Sequence, residues 1–586
     1  MNVQQAYDLA LFHYQAGRIA DADQLLRQVL GDHPNHADAL HLAGVIAHQS
    51  GRNSDAVDHI RRAIALNSAN AEYFNNLGLI LAAQGNLEGA VDALQQAIQL
   101  RPDFARAHNN LASIYSETRH WDPAIASFRT ALAIDPNYAE AESNLASALK
   151  ETGDLDQAIQ HYQRAASLKG DPAIASNLVY LLYFHPRYGP SEIAEAHREW
   201  NRAFAGPLSQ SIHPHSNDRS PDRRLRVGYV SPDFRHHAVG RFIAPLLEHH
   251  NHELIEIHCY SDVRSPDSMT AHLKTCSDEW RDTARMSDEQ LADLIGSDRI
   301  DILIDLTMHM EGNRLLVFAR KPAPVQMTYL AYAGTTGLDT IDYRLSDPYL
   351  DPPGQTDNFH YSEKTLRLGS YWCYKAPPEA PAAPLVVPPP SQFSGHRTFG
   401  CLNAFSKVTI PTLDTWARIL SRLPDSRLIL HTGEGSHRQR VLNLFARANV
   451  SHSRIEFVTR MPADAYFATY SRIDIALDPF PYPGGTTSCD ALWMGVPVVT
   501  LAGNTAVSRA GVSLLSTIGL TDLIAGTPAQ YESIALQLND DPDRLATLRS
   551  TLRQRMQASS LMNTPAFTAD FESLLRQAWR TWCAMH

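Results

Sequence analysis

The sequence is short of cysteine and pairs none of it. Its six cysteines, Cys259, Cys276, Cys373, Cys401, Cys489 and Cys583, form no Cys-x-x-Cys. Such scatter fits neither a zinc site nor a disulfide framework and suits a reducing compartment. No apolar run approaches the roughly 18 residues that a membrane-spanning helix needs. The opening MNVQQAYDLALFHYQAG lacks the charged start and apolar core of a secretory leader, so a cytoplasmic protein is expected. Basic residues are outnumbered, 51 against 63 acidic ones, for a net charge of −12. A general nucleic-acid binder usually needs a basic face, so that class is not expected. With 586 residues, 44% of them hydrophobic and 19% charged, the composition is globular and large enough for several cores.

The first third repeats itself. Gly17, Gly51 and Gly85 recur every 34 residues, and the phase continues through Arg119 to Gly153. Ala22, Ala56, Ala90, Ala124 and Ala158 keep the same period, followed by Pro34, Ser68, Pro102, Pro136 and Gly170. Small residues let two helices approach, the glycine turns the chain between them, and the proline ends each hairpin. The pattern resembles tetratricopeptide repeats: about five hairpins and a partial sixth near Asn177 to Phe184. Asn76, Asn110 and Asn144 share one phase on the first helix of successive hairpins. Their amides suit an extended peptide backbone, or equally bonds within and between hairpins.

Beyond a helical connector with a polar, proline-containing tail, the pattern changes. Apolar runs of strand length at 225–231, 254–261, 300–307 and 324–332 alternate with helical stretches. A proline-rich segment, 376–396, interrupts. A second series follows at 397–403, 427–432, 454–459, 474–478 and 497–503. Alternating strand and helix predicts parallel sheets covered on both faces, with ligands beyond the carboxyl ends of strands. The expected segments are 1–184 for the repeat array, 185–224 for the connector, 225–375 for a first lobe, 376–396 for a linker, and 397–586 for a second lobe with closing helices.

Three motifs fall in the strand-end loops. DPFPYPGGTTSCDALWMGVPVVTLAG (478–503) puts Gly484 and Gly485 before a helix opening near Thr486. Glycine admits close backbone approach, and amides and hydroxyls at a helix N-terminus can hold a diphosphate. Asp490, one turn in, is placed for a ribose. Plain threonine capping explains the same residues equally well. In FGCLNAFSKVTIPTLDTWARIL (399–420), Lys407 follows the first strand of the second sheet. A lysine there can neutralise a departing diphosphate, or simply be solvated. In GYVSPDFRHHAVGRF (228–242), His236 and His237 precede a helix whose N-terminus favours a neutral imidazole, available as a base. The other reading is two ordinary histidines among 27. No Asp-x-Asp ends a predicted strand, so no metal is expected.

Together with RKPAPVQMTYLAYAGTTG (320–337), these motifs resemble glycosyltransferase family 41, the O-GlcNAc transferase and SPINDLY group, along nearly the whole chain. The resemblance implies an α-α superhelical tetratricopeptide repeat array followed by an α/β GT-B fold of two Rossmann-like lobes. It implies inverting, metal-independent transfer from a nucleotide-sugar donor to Ser or Thr hydroxyls of proteins presented by the repeats. His237 matches the proposed general base, Lys407 and the Thr486–Thr487 pair the diphosphate contacts, and Asp490 the ribose contact. Met461 and Pro462 match the segment that holds the base, and Asn403 of the Asn-Ala-Phe-Ser-Lys string is grouped with the donor contacts. Gly485 stands where animal members carry a histidine. Likewise Ala404 stands for a glutamine, Ser406 for a tyrosine and Tyr466 for a histidine. UDP-GlcNAc is the favoured donor; GDP-fucose, or a catalytically weak binding scaffold, is the alternative.

Overall fold

In the computed structural model, which describes residues 2–354, 360–377 and 388–585, the 34-residue period becomes a run of helical hairpins. Among the described residues ten helices, from Val3–Gln15 to Leu155–Leu168, make five pairs. Each pair turns on one left-handed residue: Gly17, Gly51, Gly85, Arg119 and Gly153 have φ of 73°, 76°, 78°, 60° and 75°. The repeat geometry therefore holds Arg119 where its Cβ costs roughly 1–2 kcal/mol. The alanine column, Ala22 to Ala158, is 0% exposed at all five positions. Any larger side chain there would overpack the pair by about 1–3 kcal/mol. The sixth, partial unit is Pro172–Leu181, continued by a 3₁₀ turn at Leu182–Phe184.

By contact density the chain forms two compact units. One is Met1–Thr152 with Gln160–Lys169 and Gly433–Ser436; the other is Gly153–Ile159, Gly170–Thr432 and His437–His586. The second unit holds both sheets. The first sheet contains β1 (Leu225–Ser231), β2 (Ile255–Ser261), β3 (Glu279–Asp282), β4 (Ile302–Asp305), β5 (Val325–Thr328), β6 (Tyr343–Ser346) and β7 (Lys364–Arg367). Its order is β3-β2-β1-β4-β5-β6-β7, and every pair is parallel. The second contains β8 (Thr398–Cys401), β9 (Arg427–His431), β10 (Ile455–Val458), β11 (Ile475–Leu477), β12 (Val498–Leu501) and β13 (Ile524–Ala525). Its order, β10-β9-β8-β11-β12-β13, is also all parallel. In both sheets the order reverses beside the first strand, which opens a crevice at that strand's carboxyl end.

Two segments depart from the sequence reading. The tail 206–224, expected as a linker, opens with a 3₁₀ turn at Gly206–Ser211 and is then tied to the first lobe. Asp301 is 1% exposed and draws in Arg223 (2.7 Å) and the Asn217 amide (2.8 Å), because a buried carboxylate needs partners. The last helix, Thr564–Ala584, grouped by sequence with the second lobe, packs on the first. Its Glu572 accepts from His250 Nδ1 (2.9 Å) and the Asn251 amide (2.8 Å), and Asp570 from the Gly369 amide (2.7 Å). In the proline-rich segment 376–396, residues 378–387 lie outside those described; at its end Ser391 is pinned to Asp474 (2.8 Å).

Candidate active site

The loop after β8 makes a 3₁₀ turn, Phe405–Lys407, before the helix Ile410–Arg422. Lys407 Nζ donates to the Pro483 carbonyl (3.1 Å) and lies 4.1 Å above the Tyr482 ring. Burial pushes its pKa down to about 8, against the pull of Asp478. Asp478 directly follows β11, and burial raises it to about 6 although Ser488 Oγ (2.8 Å) and the Gly484 amide (3.3 Å) donate to it. The carboxylate thus ties down the glycine turn that precedes the helix Thr486–Trp493.

No side chain caps that helix, whose N-cap is Gly485. Its first amides are thereby left for an anion. A Cβ at Gly484 would strike Ser488 Oγ, so only glycine fits. A Cβ at Gly485 would lie 3.1 Å from the Trp372 ring. Thr487 Oγ1 donates to Asn403 Oδ1 (2.6 Å), which places Asn403 under the turn.

Across the crevice His237 is the N-cap of the helix Ala238–His249. Burial lowers its pKa, with Asp233 opposing and Arg235 assisting, so the ring is neutral near pH 7. Its Nδ1 faces two groups of opposite demand, the Val239 amide at 3.3 Å and the Asp233 carboxylate at 3.4 Å. The Val239 bond makes Nδ1 an acceptor and puts the ring hydrogen on Nε2; Nε2 can take a proton only in the other tautomer, which turns Nδ1–H toward Asp233 and gives up the Val239 bond. His236 turns away, its amide on Asp267 (2.7 Å) and its Nε2 against Ser268 (2.7 Å).

His237, Lys407, Gly485 and Thr486 line one cavity of about 200 Å³, with Trp372 and Tyr482. Tyr180, from the partial sixth unit Pro172–Leu181, also lines it. Four residues picked from sequence therefore converge from two lobes. Asn403, Met461, Pro462, Gly484, Thr487 and Asp490 do not line that cavity, and the Asp490 carboxylate is already engaged. Asp490 is 1% exposed and accepts from Arg241 (2.7 and 3.2 Å), Tyr374 (2.8 Å) and Tyr466 (3.1 Å). A ribose reaches Asp490 only by displacing one of these. Pro462 caps the helix Ala463–Thr469, which carries Tyr466, and Met461 Sδ accepts from Thr469 (3.3 Å).

Sequence reasoning did not single out Arg241, Tyr374, Trp372 or Tyr482. Tyr482 and Arg241 each gave a signal, by standing inside the glycine-turn string and the GYVSPDFRHHAVGRF string. In the repeat unit, Asn110 Nδ2 donates to Asn75 (2.9 Å), Asn144 Nδ2 to Asn109 (3.1 Å), and the Asn76 amide meets His41 Nε2 (2.7 Å). Of the two readings of that column, bonding between hairpins is the one these amides display. Their acceptors Asn75 and Asn109 repeat at the same spacing and went unread.

Two doubly wound lobes, with a lysine and an uncapped helix N-terminus facing a histidine, define the GT-B class of transferase fold. The chain belongs to glycosyl transferase family 41, whose profile matches residues 192–372 and 396–571. Residues 7–71, 78–118 and 120–179 match tetratricopeptide repeat families. The Petunia hybrida protein named "Probable UDP-N-acetylglucosamine--peptide N-acetylglucosaminyltransferase SPINDLY" is 38% identical over 400 residues, 67% of this chain and 42% of that protein. The Caenorhabditis elegans UDP-N-acetylglucosamine--peptide N-acetylglucosaminyltransferase is 24% identical over 470 residues, 61% of this chain and 41% of that one. The chain thus spans about two fifths of the length of these curated relatives. The structure of a lysine-to-methionine mutant of Thermobaculum terrenum O-GlcNAc transferase matches with a TM-score of 0.82 at 35% identity, covering 88% of this chain and 99% of that one. No helix among the described residues is long and apolar enough to cross a membrane.

Proposed function

We propose that the chain is a protein glycosyltransferase that moves GlcNAc from UDP-GlcNAc to Ser or Thr hydroxyls, with inversion and without metal. The observation that carries this is the convergence of His237, Lys407 and the Thr486 helix N-terminus on one cavity. The acceptor oxygen attacks the anomeric carbon, and the bond from that carbon to the diphosphate breaks. The acceptor proton goes to His237 Nε2 once Nδ1–H turns from the Val239 amide to Asp233, which stabilises the imidazolium that forms. Lys407 and the helix amides meet the charge that builds on the departing UDP. The names of the relatives favour UDP-GlcNAc over GDP-fucose. The free cysteines suit a cytoplasmic setting. The repeats are assigned the protein acceptor.

Thermal-shift titration of the full chain with UDP and GDP, beside a transfer assay with both donors, tests the reading. Stabilisation by UDP and transfer from UDP-GlcNAc support it. A response to GDP alone would reassign the donor to GDP-fucose. Nucleotide binding with neither transfer nor donor hydrolysis would leave a binding scaffold. Activity that EDTA abolishes and Mg²⁺ or Mn²⁺ restores would end the metal-free part of the proposal.

A further inference from the structure

Lys407 is a cation drawn out of water without a counter-ion in contact. It forms no ion pair among the described residues. Its nearest partners are the Pro483 carbonyl at 3.1 Å and the face of Tyr482, whose ring centroid lies 4.1 Å from Nζ. The titratable groups around it give little help. Asp478 favours the cation from behind the glycine turn, but its carboxylate already accepts from Ser488 and the Gly484 amide. Burial pushes the Cys401 thiol on β8 and the Tyr482 phenol each up to about 12, so both are neutral at physiological pH. Burial also keeps Tyr332 protonated and His237, across the cavity, uncharged. The N-terminus of the Thr486 helix, on the same cavity, presents positive partial charge. A desolvated ammonium in such company needs an electron-rich contact, and an aromatic face supplies one.

The ring that supplies it is itself fixed. Pro481 and Pro483 flank Tyr482 and restrict the turn on both sides. Phe184 lies against the Tyr482 ring at 4.6 Å and 36°, and Tyr180 meets it edge-on at 6.4 Å and 87°. Tyr180 in turn stacks on Tyr332 at 5.0 Å, in the segment that follows β5. Tyr180 and Phe184 come from the partial sixth unit, Pro172–Leu181 and its 3₁₀ turn. Packing alone accounts for an aromatic residue at 482. It does not account for the lysine placed over the ring.

We propose that Tyr482 is a positioning residue for transfer: its ring face keeps the Lys407 ammonium charged and directed at the leaving diphosphate, and Tyr180 and Phe184 hold the ring in place. The inference rests on the transfer reading for what the lysine does, but the hold on the ammonium does not require turnover. A desolvated cation–π contact favours the charged lysine about tenfold, or about one pH unit on its titration.

The test uses the full chain with lysine labelled by ¹³C at Cε, the Lys407 signal being the one lost in Lys407→Met. Lys407 is expected to titrate near pH 8 in the wild-type chain and in Tyr482→Phe, which keeps the ring. It should titrate about one pH unit lower in Tyr482→Leu. The same shift is expected when trifluorophenylalanine replaces Tyr482, because fluorine drains the ring face of electron density at nearly constant size. That isosteric chain answers the question even where Tyr482→Leu fails to fold. The alkaline limb of kcat/KM with UDP-GlcNAc should move with the lysine. At pH 8 the two ring-weakened chains then lose about fivefold, while near pH 6.5 they stay close to wild type. An unmoved lysine titration in the fluorinated chain overturns the inference, and so does an equal shift in Tyr482→Phe. A lysine shift that kcat/KM does not follow, with the loss uniform across pH, overturns the positioning role. A lysine shift in a chain that transfers from neither UDP-GlcNAc nor GDP-fucose leaves the ring's hold standing and removes the transfer reading. Transfer with an unmoved lysine does the reverse.

Discussion

The two lobes share one topology and carry different chemistry on it. In the second, the loops after β8 and β11 present Lys407 and an uncapped helix N-terminus, with Asp478 buried behind them. In the first, the loop after β1 presents His237, and the loops after β1 to β4 present arginines and carboxylates around an open crevice. The same strand order thus presents a buried lysine beside an uncapped helix N-terminus on one side and a half-buried histidine on the other. Fold alone does not decide between them; the side chains at the strand ends do.

Among changes to the second lobe, loss of Lys407 should have the largest effect. Lys407→Ala is expected to lower kcat about 10²- to 10³-fold with a smaller loss of UDP affinity, because the leaving-group charge is greatest in the transition state. Steady-state kinetics beside UDP calorimetry checks this, and near-normal turnover would remove Lys407 from the site. The same residue sets a pH limb. Activity requires Lys407 protonated, so kcat/KM should fall as pH rises through about 8. It requires Asp478 and His237 deprotonated, so kcat/KM should also fall as pH drops through about 6, the value for Asp478. A bound diphosphate would favour the charged lysine and move the alkaline limb of kcat upward.

Gly484→Ala sharpens the comparison from the turn. Its Cβ displaces Ser488 from Asp478, so UDP affinity should fall roughly tenfold or more, at a cost of about 1–3 kcal/mol. Unchanged affinity would show that the turn does not cradle the diphosphate. In the repeats, Asn110→Ala leaves the buried Asn75 carbonyl oxygen without its donor and should cost about 1–3 kcal/mol, read by chemical denaturation. The smallest effect is at the seam between lobes. If ribose takes Asp490, it competes with Arg241, so Arg241→Ala should tighten UDP about two- to fivefold and leave 2′,3′-dideoxy-UDP unchanged. Weaker binding of both would make Arg241 itself a donor contact.

How much was legible in sequence follows the range of the contacts. The repeats have a local period, so glycine and alanine columns gave ten helices, and the left-handed turn extended even to Arg119. Strands with continuous apolar runs, such as β1 and β2, were read nearly to the residue. The segments Glu-Trp-Arg-Asp of β3, Tyr-Arg-Leu-Ser of β6 and Lys-Thr-Leu-Arg of β7 were not, because short strands at or near a sheet edge need little apolar character. His237, Lys407 and Thr486 stood in recognisable strand-end strings. Arg241 and Tyr466 stood in or beside such strings too, but their pairing with Asp490 was not legible, since Arg241 lies 249 residues away and no local pattern links them. Trp372 against Gly485 is the same case.

The central claim is that His237 serves the acceptor while the second lobe holds the nucleotide. His237→Ala tests it most directly, with calorimetric titration of UDP and a transfer assay on one preparation. UDP affinity should stay within about twofold, while transfer falls about 10²- to 10⁴-fold, the usual contribution of positioned proton transfer. UDP binding weakened in step with transfer would move His237 into the donor site, and unchanged transfer would remove it from the mechanism.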